Sequence, residues 1–255
     1  MLRIPLKTPA ELEKTRMAGH LAAAVLQDVA AAVKPGITTL DLDNVALASM
    51  ERLNVRSAFL GYMGYPAQCC ISVNEEIIHG IPGERVIGDG DIVSIDVGVW
   101  YDGFAGDNAL TVKVGEGTPD IDRLLSQTEA ALLAGVAACR PGARVGDISR
   151  AVELVAIKSG LAVVREFVGH GVGRSLHEEP QIPNFGPAGR GPVLKPGMVI
   201  CIEPMFNLGV RSIKTLADGW TIVTRDGKPS AHFEHMVAIT EQGHEVLSPR
   251  QALYQ

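Results

Sequence analysis

The sequence predicts an α+β chain whose two halves, related by a pseudo-twofold, share one sheet. A helix–helix–strand plan occurs twice: adding 106 to the numbers of Pro35, Gly36 and Asp41 lands on Pro141, Gly142 and Asp147. Adding 107 lays Gly90-Asp91-Ile92-Val93-Ser94-Ile95-Asp96 on Gly197-Met198-Val199-Ile200-Cys201-Ile202-Glu203, so two matching apolar runs each end on a carboxylate. No Ser/Gly-rich linker parts the copies, which predicts a single domain over residues 1–255. A solenoid needs roughly three repeats or more and does not fit two.

The elements follow in order. Thr8-Pro9-Ala10-Glu11 reads as a capped helix start. Residues 21–33 carry Ala, Val and Leu at helical spacing until Lys34-Pro35-Gly36 stops them. Thr39 and Asp41 open a second helix through Met50, and an aromatic, glycine-rich stretch follows over residues 59–66. Residues 91–99 read as a buried strand with Val93, Ile95, Val97 and Val99 on one face and Ile92, Ser94 and Asp96 on the other. Tyr101-Asp102-Gly103-Phe104 reads as a turn that returns a second strand past the first, bringing Asp107 within reach of an ion shared with Asp96. In the second half, a helix over residues 126–138 ends at Arg140-Pro141-Gly142 and another spans 147–158. Glu203 then closes the apolar run 198–202 ahead of Pro204, and Glu234 leads from His232-Phe233 into the apolar strand 236–239.

Composition narrows the classes of function. Apolar residues make up 46% and charged residues 20%, which suits a globular chain rather than a disordered one. The net charge of −6 is spread along the chain with no basic stripe, so direct nucleic-acid recognition is not expected. Residues 1–7 carry no apolar run of the secretory kind, and the most apolar early stretch is interrupted by Gln27 and Asp28 and is too short to cross a bilayer. Cys69, Cys70, Cys139 and Cys201 form no C-x-x-C pair, so reduced thiols and a cytoplasmic location are the expectation.

The acids carry the chemistry. A carboxylate in a buried strand is costly unless it is paired, hydrogen-bonded or bound to a cation. Taken singly, Asp96, Asp107, Glu203 and Glu234 could each be a capped turn, an ion pair or a solvated strand end. Four together, two of them at matched places in a repeat, point to metal. His170 lies in Gly169-His170-Gly171-Val172-Gly173, where glycines permit close backbone approach. One imidazole with several carboxylates suits Mn, Fe, Co or Zn and does not resemble a structural zinc site. Two such ions about 3.5–4 Å apart lower the pKa of a shared water and polarise a carbonyl, which is a hydrolase design.

These residues resemble the type I methionine aminopeptidases, in the larger family that holds aminopeptidase P, prolidase and creatinase. The resemblance runs over nearly the whole chain and rests on an ordered set: residues 60–66, Ser72-Val73-Asn74-Glu75, His79-Gly80-Ile81-Pro82, residues 91–96, Gly106-Asp107, Gly169-His170-Gly171, His177-Glu178-Glu179-Pro180, Ile202-Glu203-Pro204-Met205, Asp218-Gly219-Trp220 and Glu234-His235. It implies the pita-bread fold, a curved antiparallel sheet covered by helices. It implies two divalent ions held by Asp96, Asp107, His170, Glu203 and Glu234, with Asp107 and Glu234 bridging and Glu203 also taking a proton from the bridging water. His79 would contact the substrate amine or leaving-group region, and His177 the scissile amide and its developing oxyanion. A pocket for the methionine side chain would use Phe59, Tyr62, Tyr65, Cys70, Leu176 and Trp220, with Phe59 and Leu176 at positions that vary among relatives. Asn74 and Ser230 fall where relatives hold a monovalent cation, Na or K.

The expected activity is removal of the initiator methionine from nascent chains and peptides with a small second residue. The short bacterial-type form fits this chain. A monomer is expected; ribosome association is compatible, although no segment displays a docking motif. An X-Pro-cleaving enzyme of the same family is the alternative within the class, disfavoured by the Tyr62, Tyr65, Cys70 and Trp220 set. A non-catalytic binding protein on this fold is the alternative outside it, disfavoured because all five ligands are present.

Overall fold

A computed structural model describes residues 4–250 and 253–254; residues 1–3, which formed part of the stretch read for a leader, lie outside the described residues. Helix α1 (Pro9–Ala32) starts where the sequence places it: Glu11 N–H donates to Thr8 Oγ1 at 3.3 Å while Thr8 N–H donates to Glu11 Oε2 at 2.8 Å. This reciprocal cap satisfies two of the amides that a helix leaves without intrahelical partners. Helix α2 (Thr39–Arg52) repeats the device with Thr38 and Asp41. Helix α3 (Pro119–Ala137) begins well ahead of the expected Ser126, because Thr118 caps it by accepting from Ile121 N–H and Pro119 presets its first turn. Helix α4 (Val145–Ser159) ends on Gly160 at φ 68°, the left-handed C-cap that glycine favours.

The internal repeat is written in the backbone hydrogen bonds. Gly36 N–H donates to the Ile87 carbonyl at 2.8 Å, and Gly142 N–H donates to the Leu194 carbonyl at 3.0 Å. Ile87 N–H returns to Ile37 at 2.8 Å, and Leu194 N–H returns to Ala143 at 2.7 Å. Isolated bridges pair Thr38 with Val86 and Arg144 with Val193 at the same offsets. In each half the Pro-Gly stop lets the chain touch the approach to the next strand, which fixes where that strand's carboxylate falls.

Every strand pairing is antiparallel. The first half centres on the hairpin of Ile92–Tyr101 with Phe104–Lys113, flanked by Cys70–Val73 and Arg56–Ser57. The second half centres on a five-stranded array in the order His244–Val246, His235–Ile239, Val199–Ile202, Gly169–Gly171, Glu178–Ile182. A backbone bond from Glu234 N–H to the Ala109 carbonyl, 2.8 Å, joins the two, and Thr111 Oγ1 donates to the His232 carbonyl beside it at 2.8 Å. Two three-stranded pieces complete the surface: Ser230–His232, Met205–Asn207 and Ala162–Val163 form one, and Ile213–Thr215, Ile222–Thr224 and Glu76–Ile78 the other.

One continuous hydrophobic cluster draws on both halves, from Val25, Leu26 and Val29 of α1 to Leu124 and Leu132 of α3 and Val152 of α4. Each such side chain contributes about 1.5–3 kcal/mol when fully buried, so the helices are held to the sheet mainly by this face. The α1 backbone comes closest at Gly106, where a Cβ would lie 2.1 Å from the Ala18 carbonyl oxygen. Only glycine permits that contact, and it fixes the strand immediately before Asp107.

Candidate active site

Asp96 and Asp107 sit on the two strands of the first-half hairpin. Asp96 is opposite Ala109 and Asp107 is opposite Gly98, so the two carboxylates share a face on a diagonal. His170 sits in the middle of Gly169–Gly171. Glu203 and Glu234 occupy strand breaks rather than strand interiors: Glu203 follows Val199–Ile202 and precedes Pro204, and Glu234 separates Ser230–His232 from His235–Ile239. All five expected ligands line a single cavity of about 330 Å³.

Asp107, His170 and Glu234 are buried, while Asp96 and Glu203 keep some exposure to the cavity. His170 Nδ1 lies 2.9 Å from the Gly171 carbonyl, which can only accept, so Nδ1 carries the proton and Nε2 presents its lone pair. That Nε2 stands 3.4 Å from Glu203 Oε1 and 3.8 Å from Asp107 Oδ2. The orienting carbonyl behind a ligand imidazole is the usual arrangement of a metal-binding histidine.

Burial pushes the Asp96 carboxyl up to about 7. Burial also raises Asp107, Glu203 and Glu234 well above the carboxylate range; Glu234 and Asp96 add to it at Asp107, Asp107 and Asp96 at Glu203, and Glu203 and Asp96 at Glu234. Burial holds His170 down at about 3, so its ring is neutral at pH 7 and brings no compensating charge. Asp96 Oδ1, Asp107 Oδ1 and Glu234 Oε1 are buried without a hydrogen-bond partner. Like charges and orphaned oxygens at one point are stable when a cation sits among them. The donor set, four carboxylates and one imidazole, therefore fits divalent metal.

The rest of the cavity is apolar and aromatic. Phe59, Tyr62, Tyr65, Cys70, Leu176 and Trp220 all line it, as do His79 and His177. Tyr65 and Trp220 meet edge to face at 5.1 Å, and the Tyr65 hydroxyl donates to the Gly80 carbonyl at 2.9 Å. His79 takes φ 60°, a strained conformation for a residue with a Cβ, and its ring stands edge-on to Phe167 at 5.6 Å and to Trp220 at 6.1 Å. His177 Nδ1 lies 2.7 Å from the Tyr62 hydroxyl, and its ring centroid is 4.3 Å from that of His170. Burial lowers His79 to about 4 and also lowers His177.

The structure thus brings together every predicted ligand, both predicted histidines and the whole predicted pocket. Asn74 and Ser230 also meet, through Ser230 N–H to the Asn74 carbonyl at 2.9 Å. Sequence reasoning missed four further lining residues, Met63, Ile78, Phe167 and Val168. Ile78 and Val168 border His79 and Gly169, so adjacency to a motif was the available signal. It also missed Cys201, whose thiol stands with Asp107, His170 and Glu234 in a group of ligand atoms within 4.8 Å of one another. Cys201 lies two residues before Glu203 on the same strand face, a period-two signal that could have found it. His232 was missed too: it is buried, with Nε2 unpartnered and 3.9 Å from Glu203 Oε2.

A hairpin and a strand array face each other across five side chains of metal-ligating type, the donor set of a metal-dependent hydrolase. The model of metallopeptidase family M24 matches residues 13–241, and the chain belongs to that family. Within it, the chain falls with the bacterial-type methionine aminopeptidases. It is 49% identical to methionine aminopeptidase 1 of Bacillus subtilis (strain 168) over 242 residues, 95% of this chain and 98% of that protein. It is 43% identical to the methionine aminopeptidase of Escherichia coli (strain K12), covering 98% of this chain and 95% of that protein. The crystal structure of methionine aminopeptidase from Thermotoga maritima superposes with a TM-score of 0.95 at 44% identity, covering 97% of this chain and all of that one. Prolidase from Pyrococcus furiosus, at 22% identity and a TM-score of 0.77, shares the fold over 96% of this chain and 66% of its own.

Proposed function

We infer that the protein removes the N-terminal methionine from nascent proteins and from peptides with a small second residue, by metal-dependent hydrolysis. One observation carries the reading: the carboxylate–imidazole cluster and apolar, aromatic side chains fit for a thioether line the same cavity. A methionine bound among Tyr65, Cys70 and Trp220 packs a flexible, polarisable chain against aromatic faces. Its scissile bond then lies over the carboxylates.

Two divalent ions held by Asp96, Asp107, His170, Glu203 and Glu234 would activate the attacking water and polarise the scissile carbonyl. Glu203, whose Oε1 faces His170 Nε2 at 3.4 Å across the cavity, would take the proton from that water. In the tautomer in which Nδ1 accepts from the Tyr62 hydroxyl, neutral His177 carries its proton on Nε2 and would offer it to the carbonyl oxygen as negative charge develops there. His79, neutral at pH 7 because it is buried, contacts the substrate amine or the leaving group without adding a positive charge that would repel the amine.

Mn, Fe, Co and Zn all suit the donor set. A monovalent cation, Na or K, is assigned to the Asn74–Ser230 junction, supported by the meeting of those two residues. Among the described residues no helix is long and apolar enough to cross a membrane. A monomeric, single-domain enzyme in the cytoplasm, meeting its substrate as chains leave the ribosome, completes the reading. The test is release of free methionine from Met-Gly-Met-Met by protein stripped of metal and reloaded separately with Mn, Fe, Co or Zn. Metal-dependent release, lost in Glu203→Gln, supports it; wild-type protein that binds two ions yet releases nothing overturns it.

A further inference from the structure

The residues ahead of α1 touch the active site from outside. Lys7 Nζ lies 2.6 Å from Glu178 Oε2, and both side chains are almost wholly buried, at 4% and 9% exposure. A buried ion pair between residues so far apart in sequence is unusual for a surface extension, because desolvating two charges is unfavourable unless their geometry is well met. Here it is met. Glu178 also accepts from Ser175 N–H at 3.2 Å through its other oxygen, and Lys7 N–H donates to the Gly197 carbonyl at 2.7 Å. Gly173 leaves the space for the lysine: a Cβ there would lie 2.4 Å from Lys7 Cε. A second tie runs alongside, from Arg174 Nη2 to Glu11 Oε1 at 2.9 Å in the first turn of α1.

The stretch held this way, residues 173–178, carries Leu176 and His177, both of which line the cavity. On the cavity side His177 is held by a single hydrogen bond, to Tyr62. Tyr62 itself belongs to a one-turn 3-10 helix whose next residue, Met63, has φ 48° and is 82% exposed. Beside the backbone bond from Ala105 N–H to the Gly173 carbonyl, 2.8 Å, and the sheet pairing of Glu178 with Gly171, the firmer side-chain anchor of this stretch is therefore behind it, in Lys7.

We propose that Lys7, through its buried pair with Glu178, is a positioning residue that holds the 173–178 loop so that His177 and Leu176 meet the substrate. This deepens the aminopeptidase reading and rests on it for its kinetic consequences. The five metal-ligating side chains lie outside residues 173–178, so loosening the loop alters how substrate is met and leaves metal binding intact.

The experiment compares wild type, Lys7→Met, Lys7→Arg, the double variant Lys7→Met/Glu178→Gln, His177→Ala and Lys7→Met/His177→Ala. Three readouts are taken: kcat and KM on Met-Gly-Met-Met, Mn affinity by calorimetry, and backbone amide exchange. The double variant removes both charges together, so a loss that arises only from stranding Glu178 is separated from loss of the clamp. For Lys7→Met and for the double variant, kcat/KM is expected to fall about tenfold, with Mn affinity within about twofold of wild type. Exchange at residues 173–178 is expected to quicken about tenfold, while Val199–Ile202 stays protected. Lys7→Arg, which keeps the charge, should recover part of the loss. In the His177→Ala background, Lys7→Met should cost clearly less than tenfold, the remainder being the share of Leu176.

An equal loss in that background, a fall in metal affinity matching the fall in activity, or unchanged exchange at 173–178 would each overturn the proposal. If wild type releases no methionine, the aminopeptidase reading fails, and the exchange result still decides whether Lys7 holds the loop.

Discussion

The two halves of the molecule solve one problem with different endings. In the first, Asp96 sits inside a ten-residue strand, paired across to Ala109, with the ladder continuing to Tyr101. In the second, Glu203 stands just past a four-residue strand, and Pro204, with no N–H to donate, ends the ladder there. A carboxylate in a continuous ladder is fixed on both sides, whereas one at a strand end, on a longer side chain, has room to move between ion and water. The repeat thus supplies two equivalent positions, and we propose that the local ending decides which is the fixed ligand and which also carries a proton.

The sharpest way to break that comparison is to neutralise each acid without changing its size. Glu203→Gln should lower kcat by about a thousandfold, the range of a lost general base, with protein still folded. Asp96→Asn should act chiefly on the metal: affinity should fall by at least about 10–100-fold, the range seen even for outer partners of a ligand. Calorimetry with Mn beside kcat at saturating Mn separates the two. If both variants lose activity equally at full metal loading, the division of roles between the halves is wrong. Next in size, His177→Ala should cost about a hundredfold in kcat/KM, as loss of one hydrogen-bond donor to a developing oxyanion does.

Much of this arrangement was legible before any coordinates, and the reason is the repeat. Shared Pro-Gly stops and acids that close matched apolar runs single out Asp96 and Glu203, and the turn at residues 102–103 returns Asp107 beside Asp96. Cys201 lay within reach of a period-two reading; the rest of what stayed hidden depended on contacts that no period expresses. The early start of α3 rests on a one-residue cap, Thr118, outside the apolar stretch. His232 stands at the site where Glu234 N–H ties two sheets together at Ala109 and Thr111 Oγ1 donates to the His232 carbonyl, pairings between residues distant in sequence. Met63 enters the cavity wall only because its backbone turns into the left-handed region.

The helix starts offer a smaller comparison. Thr38 caps α2 with its hydroxyl, whereas its counterpart Arg144 has no side-chain acceptor: its N–H donates to Asp147 at 2.8 Å, its carbonyl accepts from Asp147 N–H at 2.8 Å, and its guanidinium donates to the Gly191 carbonyl at 2.8 Å. Thr38→Ala should cost about 1 kcal/mol, lowering Tm by about 2–4 °C for a chain of this size. Arg144→Ala should cost less, since it removes an exposed bond and no cap. Calorimetric scans of the two variants rank them, and equal losses would mean that the hydroxyl cap contributes nothing beyond the acid that follows it.

The smallest effect concerns α1 and its counterpart α3. At the third position of α1 stands Glu11, whose carboxyl is drawn down to about 2 from 4.5, first by its hydrogen bonds from Thr8 and then by Arg174. At the same position of α3 stands Ile121, which cannot titrate. A carboxyl whose folded pKa is depressed contributes stability that is fully present above pH 4.5 and is lost as the pH falls toward about 2. Glu11→Gln should therefore lower Tm slightly at pH 7 and leave it nearly unchanged at pH 2, so the gap to wild type closes on the acid side. Both proteins must be metal-stripped, because the site carboxylates also take up protons as the ion leaves. Ile121→Gln, which alters α3 at the matching position without touching a charge, should give a gap that does not depend on pH. A pH-dependent gap there, or a constant one for Glu11→Gln, would remove the titrating cap as the difference between the two helix starts.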